Sequence, residues 1–297
     1  MGFQCKMLSR STEALGLGRR TRSMVKNLES EARYPGQTAG VLRLSQSSLE
    51  RYLKCGLSYL LDRELKHRRC TVPMMIGSAV AWAAKKDNRE KLKTGAKGLL
   101  LNQIIEAGVS FYEEEQEESE IMDAKSVVRK GLDETAKASR SFAMYVSPNV
   151  QDLIEAEQPI VANIAADLEI AGTPDYINRD GVGDLKTGRP WTQDRAAVSR
   201  QLTVYGILHR ARHGVYPNRV WIDSLSSTRS GWLAQRLWSY RNPEDYLAMI
   251  DILKRAQDGI EKQSFQAPSE GAWYCSSKWC VHYWDCPAII GRRKNNV

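Results

Sequence analysis

The sequence predicts an α/β fold, with a sheet-bearing core in the second half of the chain and a helical part before it. Two textures and one turn predict it. Residues 44–145 carry apolar side chains mainly at helical spacing. After Pro148 the chain breaks into short segments rich in β-branched residues, separated by polar punctuation. Between two of those segments lies Asn178-Arg179-Asp180-Gly181, read as a hairpin turn because Asp-Gly tolerates positive φ. The element order is helices, three strands, helix, strand, helix, which is that of a layered α/β core.

The chain of 297 residues is long enough for one large domain or two small ones. Its 42% hydrophobic and 26% charged residues are ordinary for a globular protein. No apolar run reaches membrane-spanning length, so no membrane partner is expected. The formal net charge of +8 and a pI of about 9.1 fit a polyanionic partner.

Residues 1–40 read as a disordered basic lead-in, rich in Ser, Arg and Gly, without the apolar stretch of a secretory signal. A transit peptide is a minor alternative; the expected location is the cytoplasm of a bacterium or a phage-infected host. Residues 41–147 form the helical part. Ser45, Ser47 and Ser48 offer N-cap oxygens to a helix over 44–65, interrupted at Gly56. Residues 76–86 form a second helix with a small-residue face, and 99–145 a further helical region. The run from Glu113 to Glu120 within it is a solvated acidic face. Residues 148–265 form the α/β core, with strands at 157–164, 168–177 and 182–188. A helix follows over 192–213, then a strand at 218–227, a short strand near 232–240 and a helix over 243–263. Residues 266–290 are a Cys-rich segment, and 291–297 a basic tail that is a weak hint of phosphate contact.

The stretch Gly181-Val-Gly-Asp-Leu-Lys-Thr-Gly188 carries the chemistry. Residues two apart in a strand share a face, so Asp184 and Lys186 project together and Leu185 projects into the core behind them. The hairpin folds the preceding strand back, which lets Asp175 approach Asp184. Two carboxylates on adjacent strands suit Mg²⁺ or Mn²⁺. A lysine beside them supplies positive charge against a phosphorane or positions water. Asp-x-Lys and Glu-x-Lys are common; Glu64-Leu65-Lys66 and Asp123-Ala124-Lys125 also occur here, but in helical texture and without an upstream strand aspartate.

The ordered set Gly172-Thr-Pro-Asp175, Asp184-Leu-Lys186 and Gln201-Leu-Thr-Val-Tyr205 resembles the RecB-like branch of the PD-(D/E)XK nucleases over roughly residues 41–290. The resemblance implies a restriction-endonuclease-like core, a mixed central sheet flanked by helices. It implies Asp175, Asp184, water and the Leu185 carbonyl around the metal, with Gln201 and Tyr205 beside the site on one helix face. Many members of that branch place a metal-binding histidine in a G-x-x-x-H helix; here Gly77 is followed by Ala81, which cannot ligate. Glu157 is a candidate further acid. A nuclease-inactive, cluster-bearing DNA-binding or partner module is therefore the alternative function.

Cys275, Cys280 and Cys286 lie within twelve residues, and Cys5 and Cys70 are spare. In a reducing compartment such thiols point to metal rather than disulfides. The segment carrying Cys55 resembles the helix that supplies the first cysteine of a [4Fe–4S] cluster in iron–sulfur relatives, which implies that Cys55, Cys275, Cys280 and Cys286 hold a cluster clamping the chain ends. Zinc is the rival, with Cys275, Cys280, His282 and Cys286 as a local set. Trp273, Trp279, Trp284 and Tyr283 either pack around the thiols or stack on bases of a single strand; packing is the expectation. The reading as a whole is a sequence-nonspecific DNA exonuclease of phage or CRISPR-associated type, acting on single strands or ends. Recombination or replication proteins are candidate partners, and the oligomeric state is open.

Overall fold

The computed structural model describes residues 40–65, 69–95 and 97–289. The lead-in, Lys66, His67, Cys5 and the basic tail all lie outside the described residues. The described chain divides into two compact units. One holds the residues before His67, Ala166–Leu168 and those from Leu253 onward; the other holds His67–Ala165 and Glu169–Ile252.

The first unit opens with strand β1 (Leu42–Ser45) and helices α1 (Gln46–Lys54) and α2 (Gly56–Glu64). Ser45 caps α1: its hydroxyl accepts the Ser48 N–H at 3.1 Å, while the Ser48 hydroxyl accepts the Ser45 N–H at 2.8 Å. The expected break falls one residue earlier than Gly56, at Cys55, whose extended backbone ends α1 and caps α2. Gly56 answers to packing instead. A Cβ there would stand 2.8 Å from the Phe265 Cα and the Gln266 nitrogen. The rest of the unit is the end of α8 (Pro243–Glu261) and a tail of turns.

The second unit holds β2 (Arg69–Cys70), α3 (Val72–Thr94), α4 (Leu101–Glu118), β3 (Glu120–Ile121), α5 (Lys125–Ser141) and a π-helical turn at Phe142–Val146. Helix α3 is much longer than residues 76–86. Pro73 suits its first turn, Asp123 accepts the Val72 N–H at 2.7 Å, and Gly95 ends it at φ +85°. The expected helical region at 99–145 is two helices, because Ser119–Asp123 turns the chain. Glu113, Glu114, Glu117, Glu118 and Glu120 are exposed, as read.

The main sheet has five strands in the order β10 (Gly231–Ser239), β9 (Arg219–Thr228), β8 (Gly181–Gly188), β7 (Tyr176–Asn178), β4 (Leu153–Glu155). Strand β8 runs parallel to β9 and antiparallel to β7, so the sheet is mixed, and β10 is a full strand rather than a short one. The parallel step needs a crossover, which α6 (Gln193–Ala197) and α7 (Arg200–His213) provide. Strand β5 (Ile160–Ala165) lies beside β6 (Leu168–Gly172).

The expected strand at 168–177 is two. It stops at Gly172 and resumes at Tyr176, because Pro174 cannot donate to a ladder. The hairpin stands, with Asn178 facing Gly181, but not through positive φ. The Asn178 side chain accepts the N–H groups of Asp180 and Gly181 at 3.0 Å each. Gly183 is required by close approach, since a Cβ would lie 2.2 Å from the Trp221 ring and 2.5 Å from the Tyr176 ring. Those two rings stack at 5.9 Å. Both donate to Asp223, which also pairs with Arg236 through two 2.7 Å bonds. This buried polar group sits within the apolar core that takes in Leu185, Trp221 and Leu225 together with the inner faces of α3, α4 and α5.

Candidate active site

Period two does in β8 what the sequence requires. Leu185 is buried in the core, and Asp184 and Lys186 meet on the opposite face, Oδ2 to Nζ 2.7 Å. Asp184 is buried at 2% exposure, so its charge depends on these partners. Its Oδ1 accepts from Gln201 Nε2 at 2.7 Å and Tyr205 OH at 3.2 Å, and Gln201 also reaches the Tyr205 hydroxyl at 2.9 Å. Gln201 and Tyr205 share one face of α7, one turn apart.

The expected single helix over 192–213 is broken at Val198–Ser199. Arg241 fixes that break: its guanidinium donates to the carbonyls of Ala196 at 3.1 Å and Ser199 at 3.0 Å and to the Thr203 hydroxyl at 2.7 Å. Ser199 then caps α7 and sets Gln201 in its first turn.

Asp175 sits in the interruption between β6 and β7, not within a strand. Its Oδ2 accepts the Leu185 N–H at 2.5 Å, which ties it to β8 beside Asp184. Burial first, then the charges of Asp184 and Glu157, raise its carboxyl well above the usual aspartate range against the opposing pull of Lys186 and the Leu185 N–H. For Lys186, burial pulls the ammonium down, but Asp184 and Asp175 outweigh it and its pKa is raised. Lys186 is thus held as a cation. The Tyr205 hydroxyl is raised well above its usual value by burial and by Asp184 and Asp175, so it stays a neutral donor.

Two further groups join. Glu157 stands in left-handed backbone at φ +56°, where a non-glycine residue is strained, and its N–H donates to the Pro174 carbonyl at 3.1 Å. That bond fastens Glu157 beside Asp175. Burial raises its carboxyl, Lys85 and Arg89 lower it, and Asp184 raises it. Lys85 Nζ lies 3.4 Å from Glu157 Oε2. Lys85 is one turn along α3 from Ala81, so the helix face where the resemblance calls for histidine presents a cation to Glu157. Arg195, whose guanidinium stacks 3.9 Å over Trp191, is near enough to lower the Lys186 pKa. The spacing Ala81-x-x-x-Lys85 was a signal for the first cation; nothing in sequence marked Arg195. The decoys are elsewhere: Asp123 caps α3, and Lys125 is exposed at the start of α5.

In the first unit, Cys55, Cys275, Cys280 and Cys286 line one cavity with His282, walled by apolar groups such as Leu61 and Ile289. Burial raises the thiols of Cys55 and Cys280, and both also feel Cys275 and Cys286. Cys55 Sγ accepts the Ser58 N–H at 3.3 Å as the cap of α2. Among the described residues no three His, Cys, Asp or Glu side chains stand in a metal-binding arrangement, at this cavity or around Asp184. Three of the aromatics depart from the packing expectation. Trp273, Trp279 and Trp284 are 62%, 42% and 51% exposed, and only Tyr283 lines the cavity.

Two carboxylates and a lysine therefore meet at the interruption and centre of a mixed sheet. The model of the PD-(D/E)XK nuclease superfamily matches residues 43–287, and the chain belongs to that superfamily. No curated protein matches it significantly in sequence. Among solved structures, a protein of Eubacterium rectale described as a "putative exonuclease" is similar at 12% identity, TM-score 0.48, covering 92% of each chain. A second, SSO0001, is similar at 17% identity and TM-score 0.32, covering 82% of this chain and 96% of its own. Among the described residues no helix is long and apolar enough to cross a membrane.

Proposed function

We propose that the chain is a divalent-metal-dependent DNA nuclease of the RecB-like branch, an exonuclease working on single strands or DNA ends without sequence preference. The observation that carries this is the convergence of Asp175, Asp184 and Lys186 with Gln201 and Tyr205 in one hydrogen-bonded, largely buried cluster. Asp175, Asp184 and the Leu185 carbonyl are oxygen donors of the kind a hard cation takes and would hold Mg²⁺ or Mn²⁺, with Glu157 as a further acid. Such an ion activates water and neutralises phosphate charge. Lys186 offers fixed positive charge to the scissile phosphate. Gln201 and Tyr205 hold the Asp184 carboxylate in place, and Lys85 and Arg195 supply cations for flanking phosphates.

The same reading gives Cys55, Cys275, Cys280 and Cys286 a [4Fe–4S] cluster. Their shared cavity, its apolar walls and the helix N-terminus behind Cys55 support it, since low polarity and amide dipoles suit thiolate-bound iron and sulfide. Zinc held with His282 is the competing occupant.

The test is cleavage of 5′- and 3′-labelled single strands and duplexes with Mg²⁺ and Mn²⁺. Asp184→Ala and Lys186→Ala should each lose on the order of a hundredfold or more in rate, the usual consequence of removing a transition-state charge group. Lys125→Ala should cut normally. Wild-type cutting by both site variants would refute the assignment. A wild-type protein that binds DNA but never cuts it would favour the inactive binding module.

A further inference from the structure

Exposed tryptophans are expensive to leave in water, and three of them sit within twelve residues here, Trp273, Trp279 and Trp284. Trp273 and Trp279 meet edge to face at 5.7 Å and 86°. Cations accompany the rings. Lys54 Nζ lies 5.5 Å from the Trp273 ring and 4.2 Å from the Tyr274 ring, and Lys278 Nζ lies 5.2 Å from Trp279. The Tyr274 hydroxyl donates to the Lys54 carbonyl at 3.2 Å, which ties this aromatic segment to the end of α1. Trp284 stands edge to face against Tyr283 at 5.1 Å, and Tyr283 is anchored at the cysteine cavity.

We propose that Trp273, Trp279 and Trp284, with Lys54 and Lys278, form a stacking platform for single-stranded nucleic acid, made of none of the acid–lysine residues. Flat apolar rings with ammonium groups beside them match a strand in two ways. Unpaired bases stack on the indoles, and the lysines meet the phosphates that run past them. A duplex offers the phosphates but keeps its bases stacked inside, and a protein partner would not call for cations at the ring faces of a chain already at net charge +8. The identity of the ligand as nucleic acid rests on the nuclease reading; the position of the platform does not.

The test uses the full-length protein and an uncleavable phosphorothioate oligothymidine, an abasic strand of equal length and charge, and a blunt duplex. Wild type should bind oligothymidine more tightly than the abasic strand, with its tryptophan fluorescence quenched. Trp273→Ala and Trp279→Ala should each weaken oligothymidine binding roughly five- to a hundredfold, the range for loss of one stacked base. Their affinity for the abasic strand should not change. Lys54→Met and Lys278→Met should weaken binding to both strands and flatten the salt dependence. Equal wild-type affinity for oligothymidine and the abasic strand, or tryptophan variants that bind oligothymidine like wild type, would overturn the platform. So would tryptophan variants that weaken both strands alike or that lose duplex binding. Hydrolysis of thymidine 5′-p-nitrophenyl phosphate, a single nucleotide with no strand to stack, should be unaffected in the tryptophan variants. If wild type fails to cut DNA, the nuclease reading fails while the stacking result stands.

Discussion

Asp175→Asn should make the metal-free protein more stable, not less. Asp175 is an acid held against its preference: burial, Asp184 and Glu157 all push its pKa up. Asparagine has nearly the same shape, keeps an oxygen to accept the Leu185 N–H now made at 2.5 Å, and carries no charge. At an effective dielectric of about 20, like unit charges roughly 4–8 Å apart repel by about 2–4 kcal/mol. Lys186, 2.7 Å from Asp184, cancels part of that. A gain of about 1–3 kcal/mol remains, which at about 2–4 °C per kcal/mol raises Tm by several degrees. The pH dependence has a definite sign. An acid whose folded pKa is raised binds its proton more tightly folded than unfolded. Its stabilising contribution is full below the ordinary aspartate range and is lost as pH rises through the raised value. Wild type should therefore lose stability across that interval and the variant should not, so the gap is widest at neutral pH and above. Thermal melts in chelator from pH 5 to 8 measure it. Adding Mg²⁺ should reverse the order, since an ion at a hundred times its Kd stabilises by about 2.7 kcal/mol and the variant lacks one of its ligands. Asp184→Asn is the contrast: it strips Lys186 of its partner and should destabilise. A lower Tm for Asp175→Asn in chelator at pH 8, or equal Mg²⁺ shifts in both proteins, would refute the reasoning.

Glu157→Gly separates strain from function. Relief of left-handed strain, about 1 kcal/mol, offsets the entropy glycine adds to the unfolded chain, about 0.5–1 kcal/mol. The partly exposed Lys85 pair contributes under about 1 kcal/mol. Tm should move little while DNA cleavage falls tenfold or more; a large Tm loss with normal cleavage would make Glu157 merely structural. Anaerobically purified protein should be brown, and Cys55→Ser should bleach it and lower its Tm, because metal binding is coupled to folding. Colourless protein holding one zinc and indifferent to Cys55 would reject the cluster.

Local order in the chain was enough to place the heart of the site. Asp184 and Lys186 share a face because a strand repeats every two residues, and Gln201 and Tyr205 because a helix brings i and i+4 together. Leu185 is buried behind them for the same reason, and Asn178 with Gly181 closes the hairpin within four residues. These relations involve near neighbours, so backbone geometry alone decides them. Tertiary structure decided the rest. Asp175 reaches Asp184 because the chain breaks at Pro174 and the Leu185 N–H captures it. Glu157 joins through a strained backbone held by the Pro174 carbonyl, seventeen positions that periodicity cannot link falling away in one hydrogen bond. Arg241, far along the sequence, breaks the crossover helix and so aims Gln201. The exposure of the three tryptophans could not be read from composition either. Burial is a property of how many side chains a fold can enclose around a residue, and a segment of turns encloses few.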